Sequence, residues 1–367
     1  LLASSKFSNA SGSAMNVNKT QIMAIATDIL KAIDTPGETA LRVAQSLTLA
    51  DVRGVPTHGV GLLPLYCQMA AAGVIKVGAE PQTNAISDSM AWVDGGGTFG
   101  QLTGRLAVDL GVGLMQNHGI AAVGIADGTH LGRLGEWAER ACDADAAFLA
   151  FANTGGGALN VAGADGAHRV LAPNPIAFGI PTCGSLAQHV IVDFATSQVA
   201  GSRIREVANA GGRLNPDWVI AQNGSSTDDP QSFLDGLAAL RPLGGASAGH
   251  KGFGLMVAAE MLSALAGGLM AGERDAPWFS NGALFLLLDI RRFVPREDWG
   301  RRVKAFAEYV DKSGYRLPGT GRSSTVEDRL ELAEHTVAAL LQLAAELSVN
   351  SHGLSAPVNS RTVTQSW

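Results

Sequence analysis

The chain has 367 residues, 46% hydrophobic and 16% charged, with a formal net charge of −6 and no block of Lys or Arg. That length supports a sizeable buried core in two domains, and the lack of clustered cations excludes a nucleic-acid surface and gives no reason to expect a membrane face. Cys67, Cys142 and Cys183 are widely spaced and form no C-x-x-C pair, so neither a metal site nor a disulfide framework is expected and a cytoplasmic location fits.

In chain order, apolar residues at helical spacing predict a helix over 16–33. Thr35-Pro36-Gly37-Glu38 presents an N-cap, a first-turn proline and a capping-box carboxylate, opening a helix to about Asp51. A further helix is predicted over 60–72, a short strand over 91–95 and a long helix over 101–116. From 119 the pattern turns to β-rich runs, 120–126, 147–152 and 189–195, the last read as a buried strand, with a helix over 131–145. A helix follows Lys251, 283–290 reads as a buried strand, and helices are predicted over 296–312 and 326–348. No apolar run reaches the ~18 residues of a membrane span. The first residues lack the features of a signal peptide, and Met15 is the more natural start. Residues 1–14 and 350–367 are expected to be flexible termini.

No strand is followed by G-x-G-x-x-G, and no G-x-x-x-x-G-K-[ST] occurs, so no Rossmann or P-loop site is expected. Four other segments carry candidate chemistry. Arg53-Gly54-Val55-Pro56-Thr57-His58-Gly59 can project an imidazole from a turn, suited to exchanging a proton with a carbonyl or hydroxyl oxygen. Asp127-Gly128-Thr129-His130-Leu131-Gly132 joins a strand to a helix whose first N–H groups suit an anion. Ala172-Pro173-Asn174-Pro175 precedes a strand ending in Asp193-Phe194-Ala195-Thr196-Ser197. Gly249-His250-Lys251-Gly252 puts a cation among glycines at a helix start. Taken singly, each reads as well as an ordinary turn or cap.

Together and in this order, with Asp51-x-Arg-Gly, Thr227-Asp-Asp229-Pro230, Pro242-Leu-Gly-Gly and Arg316-Leu-Pro-Gly319, they resemble the malate/L-lactate dehydrogenase-like oxidoreductases over roughly residues 20 to 345. That family includes ureidoglycolate and sulfolactate dehydrogenases and the piperideine/pyrroline-2-carboxylate reductases. The resemblance implies a non-Rossmann α/β fold with a mixed, largely antiparallel NAD(P)-binding sheet inserted in a helix-rich domain. The expected division is 119–265 for NAD(P), and 15–118 plus 266–349 for substrate and dimerisation. It further implies a homodimer, a small-molecule substrate, and NAD or NADP as cofactor, with NADPH slightly favoured.

Carried over by position, the resemblance makes His58 the general acid/base, with the Thr57 hydroxyl positioning substrate or imidazole. His130 is expected to line both the substrate and the nicotinamide end. Further cofactor contacts are expected at Asn153, Thr154, Asn174 and Pro175, and along His189, Val190, Ile191, Val192, Asp193, Phe194 and Ala195. His250, Lys251, Gly319, Thr320 and Gly321 complete that set. The implied reaction is hydride transfer to or from a 2-oxo/2-hydroxy acid. The alternatives are a cyclic-imine or ketimine reductase and, more remotely, an inactive nucleotide-binding protein.

The sequence departs from the family pattern at Leu62, where the resemblance expects an Arg that holds the substrate's acidic group. A charge-assisted hydrogen bond of that kind contributes roughly 1.5–3 kcal/mol, so another cation such as Arg133 must replace it or the substrate must differ at that end. A second Ser-His-Gly, at 351–353, is read as coincidence.

Overall fold

Residues 14–164, 166–273, 280–320 and 328–355 are described by the structure, a computed structural model. The chain opens with β1 (Ala14–Asn18), whose Asn18 side chain accepts hydrogen bonds from the N–H groups of Thr20 and Gln21 and so caps α1 (Lys19–Ala32). Ile22, Ile25 and Ile29, at helical spacing, are fully buried, each contributing about 1.5–3 kcal/mol by leaving water. The next helix, α2 (Gly37–Val52), starts one residue later than the capping box predicts. Its N-cap is Pro36, with no side-chain hydrogen bond to the helix start, and Thr35 is instead buried.

Two 3-10 turns, Pro56–His58 and Val60–Leu62, lead into α3 (Leu63–Ala71). Then come β2 (Gln82–Ser87), β3 (Met90–Asp94), α4 (Gly100–His118), β4 (Ile120–Ala126), α5 (Leu134–Asp143) and β5 (Ala146–Ala152). Short strands β6 (Val161–Ala162) and β7 (Arg169–Leu171) precede β8 (Ile176–Ile180) and β9 (Val190–Phe194). After α6 (Gly201–Asn209), β10 (Val219–Ala221), α7 (Pro230–Leu234) and β11 (Ala238–Leu240) comes the long α8 (Gly245–Leu265). The chain closes with β12 (Ala283–Asp289), α9 (Arg296–Lys312), β13 (Arg329–Ala333) and α10 (Glu334–Glu346).

The main sheet has seven strands in the order β2-β3-β4-β12-β5-β8-β9. Only β3–β4 is a parallel pair; the others are antiparallel. The expected mixed, largely antiparallel sheet is therefore present. It also takes β2, β3 and β12 from outside residues 119–265. A smaller sheet, β10-β11-β6-β7, stands beside it. The run over 189–195 is an edge strand rather than a buried one: Val190, Ile191, Val192 and Phe194 are half-buried and Asp193 is exposed.

Three apolar cores follow this layout. One joins α1, α2, α3 and α10, with Phe99 and Leu332, and Leu62 packs against its edge. The second lies between the main sheet and helices α4 and α5, around Trp137, Phe148 and Phe285. The third is small and holds Val161, Ile204, Phe233 and Met256. The final helix starts later than the predicted 326, because β13 pairs antiparallel with β1 and uses residues 329–333. Residues 1–13 and 356–367 of the expected flexible termini lie outside the described residues. Residues 350–355 fold back on α1, where Gln21 Nε2 donates to the His352 carbonyl and His352 Nε2 lies 2.8 Å from Asp28. The second Ser-His-Gly thus serves as a docking point for the C-terminal segment.

Candidate active site

His58 stands at the end of the first 3-10 turn, held by its N–H to the Val55 carbonyl at 3.0 Å. The Thr57 hydroxyl lies 3.0 Å from His58 Nδ1, so it engages the imidazole and leaves Nε2 to face other groups. Behind the turn, buried Asp51 accepts the Val60 N–H at 2.8 Å. Burial pushes the Asp51 carboxyl up to about 7, against the lowering effect of that hydrogen bond.

The strand-to-helix segment after β4 brings His130 onto His58. The two rings stack with centroids 5.3 Å apart and planes 21° apart. Backbone packing sets this approach: a side chain at Gly100 would overlap the His130 carbonyl. Thr129 Oγ1 donates to the Thr98 carbonyl at 2.7 Å and accepts the Gly100 N–H at 3.0 Å. On its other side, Nδ1 of His130 meets the Tyr66 hydroxyl at 2.7 Å, and Gln101 Nε2 donates to that hydroxyl at 2.8 Å. Burial lowers His58 to about 4, helped by the positive charge of Arg133. Burial likewise lowers His130 to about 3, with His58 as the second cause. Both rings are therefore neutral at pH 7, the state in which an imidazole accepts a proton.

Arg133, 6% exposed, is the cation whose field reaches His58. Its Nη2 lies 3.0 Å from Glu139, and Arg53 binds the same carboxylate at 3.1 Å, so Glu139 ties the His58 turn to α5. The Arg133 Nε has no hydrogen-bond acceptor among the described residues. Asp193 accepts the Gly135 N–H at 2.7 Å, placing a carboxylate at the start of α5, where the helix dipole favours negative charge. Thr57, His58, His130, Arg133 and the Asp193 end of β9 thus converge around the N-terminal end of α5.

Gly319 and Thr320 reach β9 through the Ile191 N–H, which donates to the Pro318 carbonyl at 3.2 Å, and Thr320 Oγ1 donates to Leu317. His189 is engaged at both ring nitrogens: Nδ1 accepts the Thr182 N–H at 3.2 Å and Nε2 lies 3.0 Å from Asp143. The half-buried Ala195 leads to Thr196, whose carbonyl accepts the Leu243 N–H, joining the Asp193-Phe-Ala-Thr-Ser and Pro242-Leu-Gly-Gly segments. Gly321 lies outside the described residues.

Asn153 and Asn174 are fully buried pins. The Asn153 amide donates to the Leu269 carbonyl and accepts the Gly282 N–H, whereas Asn174 Nδ2 donates to Met256 and Glu260. Thr154 Oγ1 closes its own turn onto Gly157, and the Pro175 carbonyl accepts the Ala152 N–H. A cavity of about 390 Å³ opens at the start of α8, lined by Gly163, Gly166, Arg241, Gly245, Gly249 and His250. Lys251 is exposed next to it. Its glycines and the Arg241 guanidinium form a cradle that suits a phosphate, beside Asp217, whose carboxylate caps the helix at the Ala246 N–H.

Three structural residues lie outside the sequence motifs. Tyr66 and Gln101 look like core residues in a helical pattern, and nothing local distinguishes them. Asn281 accepts the Leu131 N–H at 2.9 Å and donates to the Asn153 carbonyl, binding the His130 segment to the sheet. Among the described residues there is no cluster of metal-binding side chains, and no helix is long and apolar enough to cross a membrane.

The sequence model of the malate/L-lactate dehydrogenase family matches residues 17–355. An L-sulfolactate dehydrogenase of Methanothermobacter thermautotrophicus is 28% identical over 347 residues, 92% of this chain and 98% of that relative. A malate dehydrogenase structure from Entamoeba histolytica superposes with a TM-score of 0.84 at 23% identity, over 92% of this chain and 99% of its own. A delta1-piperideine-2-carboxylate reductase structure from Pseudomonas syringae pvar. tomato matches with a TM-score of 0.77 at 25% identity, over 90% of this chain and 100% of its own. With nearly its whole length covered by the family pattern, the chain belongs to the malate/L-lactate dehydrogenase family and is an oxidoreductase.

Proposed function

We propose that the protein is an NAD(P)-dependent oxidoreductase that interconverts a small 2-oxo acid and its 2-hydroxy acid, with His58 as general acid/base. The observation that carries this reading is the neutral His58 ring, tethered at Nδ1 by Thr57 and stacked on His130 beside buried Arg133. The glycine- and arginine-lined cavity at α8 fits the dinucleotide phosphates, with His250 and Lys251 at its border and β9 with Gly319 and Thr320 leading to the reaction end. The bound nicotinamide would supply or accept the hydride.

In the oxidising direction, His58 Nε2 takes the proton of the 2-hydroxyl as the carbonyl forms. In the reducing direction it returns that proton to the oxygen. Positioned proton transfer of this type contributes about 10²–10⁴ in rate. Because Leu62 packs on the apolar core, Arg133 is the cation we assign to the substrate's acidic group. Residues 119–265 would hold most of the cofactor, and the helical layer would supply the acid/base.

A cyclic-imine reductase is the second reading, supported by the likeness to the piperideine-2-carboxylate reductase. An imine nitrogen that arrives protonated needs less from His58. We also propose a homodimer. Gly254, Ala258, Met261 and Leu265 form one exposed, weakly polar stripe on α8, with Met261 60% and Leu265 77% exposed. Exposed apolar side chains along one helix face support this reading.

The test is a fluorescence titration with NADH and NADPH, followed by turnover with 2-oxo acids and with piperideine-2-carboxylate, in wild type and His58→Ala. Saturable binding with turnover that collapses in the variant is the expected result. Binding of a nucleotide with no oxidation of it by any substrate would favour the inactive reading. Failure to bind either nucleotide would overturn the proposal.

A further inference from the structure

We propose that Tyr66 and Gln101 are positioning residues that hold His130 as the neutral imidazole protonated at Nε2. The two stacked rings then have different tasks: His58 exchanges the proton, and His130 donates a hydrogen bond without giving its proton up. The division of tasks rests on the reading of this cleft as the hydride-transfer site; the protonation state rests on geometry alone.

Gln101 is fully buried, and its Nε2 donates to the Tyr66 hydroxyl at 2.8 Å. A phenol has one hydrogen, so an oxygen that accepts from Gln101 turns its own hydrogen elsewhere. The other neighbour is His130 Nδ1 at 2.7 Å. With the amide in this orientation that nitrogen is bare, and a neutral imidazole with a bare Nδ1 carries its hydrogen on Nε2.

Protonating His130 would oppose an Nδ1–H to the Tyr66 hydrogen. Relief would require the phenol to turn toward Gln101 and the amide to flip, presenting Oε1. In the arrangement observed, that oxygen is buried without a partner. Protonating His130 would thus reorganise two buried side chains, with the turned amide giving that oxygen the Tyr66 hydrogen, and the neighbouring His58 ring at 5.3 Å disfavours a charge beside it. The backbone packing of His130 on Gly100 and the Thr129 bridge fix the main chain that carries the ring.

The test is ¹⁵N NMR of the protein labelled at histidine, with His130 identified by the signals lost in His130→Asn. The expected wild-type result at pH 7 is a protonated Nε2 and a bare, hydrogen-bonded Nδ1. In Tyr66→Phe, which keeps the ring and its packing, the Nδ1 resonance should move to the position of an unbonded nitrogen. In the same variant kcat should fall about threefold to tenfold, the range of one net hydrogen bond, with KM little changed. A wild-type His130 protonated at Nδ1 would overturn the relay. So would a Tyr66→Phe protein in which both the Nδ1 resonance and kcat are unmoved. The NMR measurement needs no turnover, so an enzyme inactive on every 2-oxo acid would remove the functional reading and leave the relay still decided.

Discussion

The carboxylate of Asp51 fills the space that a side chain at Gly59 would need, and its Oδ2 accepts the Val60 N–H at 2.8 Å. A glycine directly after His58, the residue proposed as acid/base, is thus a packing requirement, since the turn carrying it lies flat against a buried acid.

Gly59→Ala should cost about 1–3 kcal/mol, the usual range for overfilling a packed site, read as a lower denaturation midpoint. Small displacements of a reacting group can cost about a hundredfold, so kcat/KM should fall by at least about tenfold. In the double variant Asp51→Ala/Gly59→Ala the overlap is gone. The two stability losses should therefore sum to more than the measured loss of the pair. Simple additivity would show that the overlap does not drive the effect.

The depressed His58 predicts the pH dependence of hydroxy-acid oxidation. The acid limb of kcat/KM should lie well below the ordinary 6.5 and toward about 4. Arg133→Met removes the second cause and leaves the first, burial. The limb should then move upward without reaching the ordinary value. A limb at 6.5 in wild type would contradict the crowded environment of the ring.

Substrate anchoring separates two cations. Arg133→Met should raise KM for 2-oxo acids about tenfold or more, the loss of one charge-assisted hydrogen bond, as measured by steady-state kinetics. Leu62→Arg added to that variant should restore part of the affinity if position 62 can reach the same group. Equal kinetics for wild type and Arg133→Met would place the acidic group elsewhere.

Stability against pH should carry opposing contributions. His58 and His130 have lowered values in the folded state, so the unfolded chain binds more protons below 6.5. Their contribution is present at neutral pH and is lost as pH falls toward about 4 and then about 3. Asp51 is raised to about 7 from 3.8, so its contribution is present below 3.8 and is lost as pH rises through 7. Urea titrations between pH 4 and 7 should therefore show a steeper gain of stability with pH in Asp51→Asn than in wild type. His58→Gln should show a shallower one.

The stripe on α8 predicts the assembly state. Wild type should elute as a dimer in size-exclusion chromatography with light scattering. Leu265→Glu, which places a charge on a residue 77% exposed in the single chain, should shift it toward monomer. A wild-type monomer at micromolar concentration would count against the stripe as an interface.

The amino-acid sequence by itself determined the elements whose signal is local, such as a short apolar run closed by turn residues or a helix-length segment after a proline. The strands at 120–126 and 283–289 and the helix at 296–312 lie within a residue of expectation, because length, flanking residues and apolar content are carried by the neighbouring chain alone. The order of short motifs likewise identified the family, since the backbone turns that place His58 and His130 need particular residues at particular offsets. Elements whose stability comes from distant partners were not legible. β1 and β13 exist because 14–18 meets 329–333, and β9 is half-buried because it closes the sheet edge. Only the tertiary structure brought Tyr66, Gln101 and Asn281 to the site and made Arg133 the charge felt by His58. The physical reason is the same in each case: a local pattern reports how each residue faces solvent, whereas a hydrogen bond or a charge acts between residues that folding alone makes neighbours.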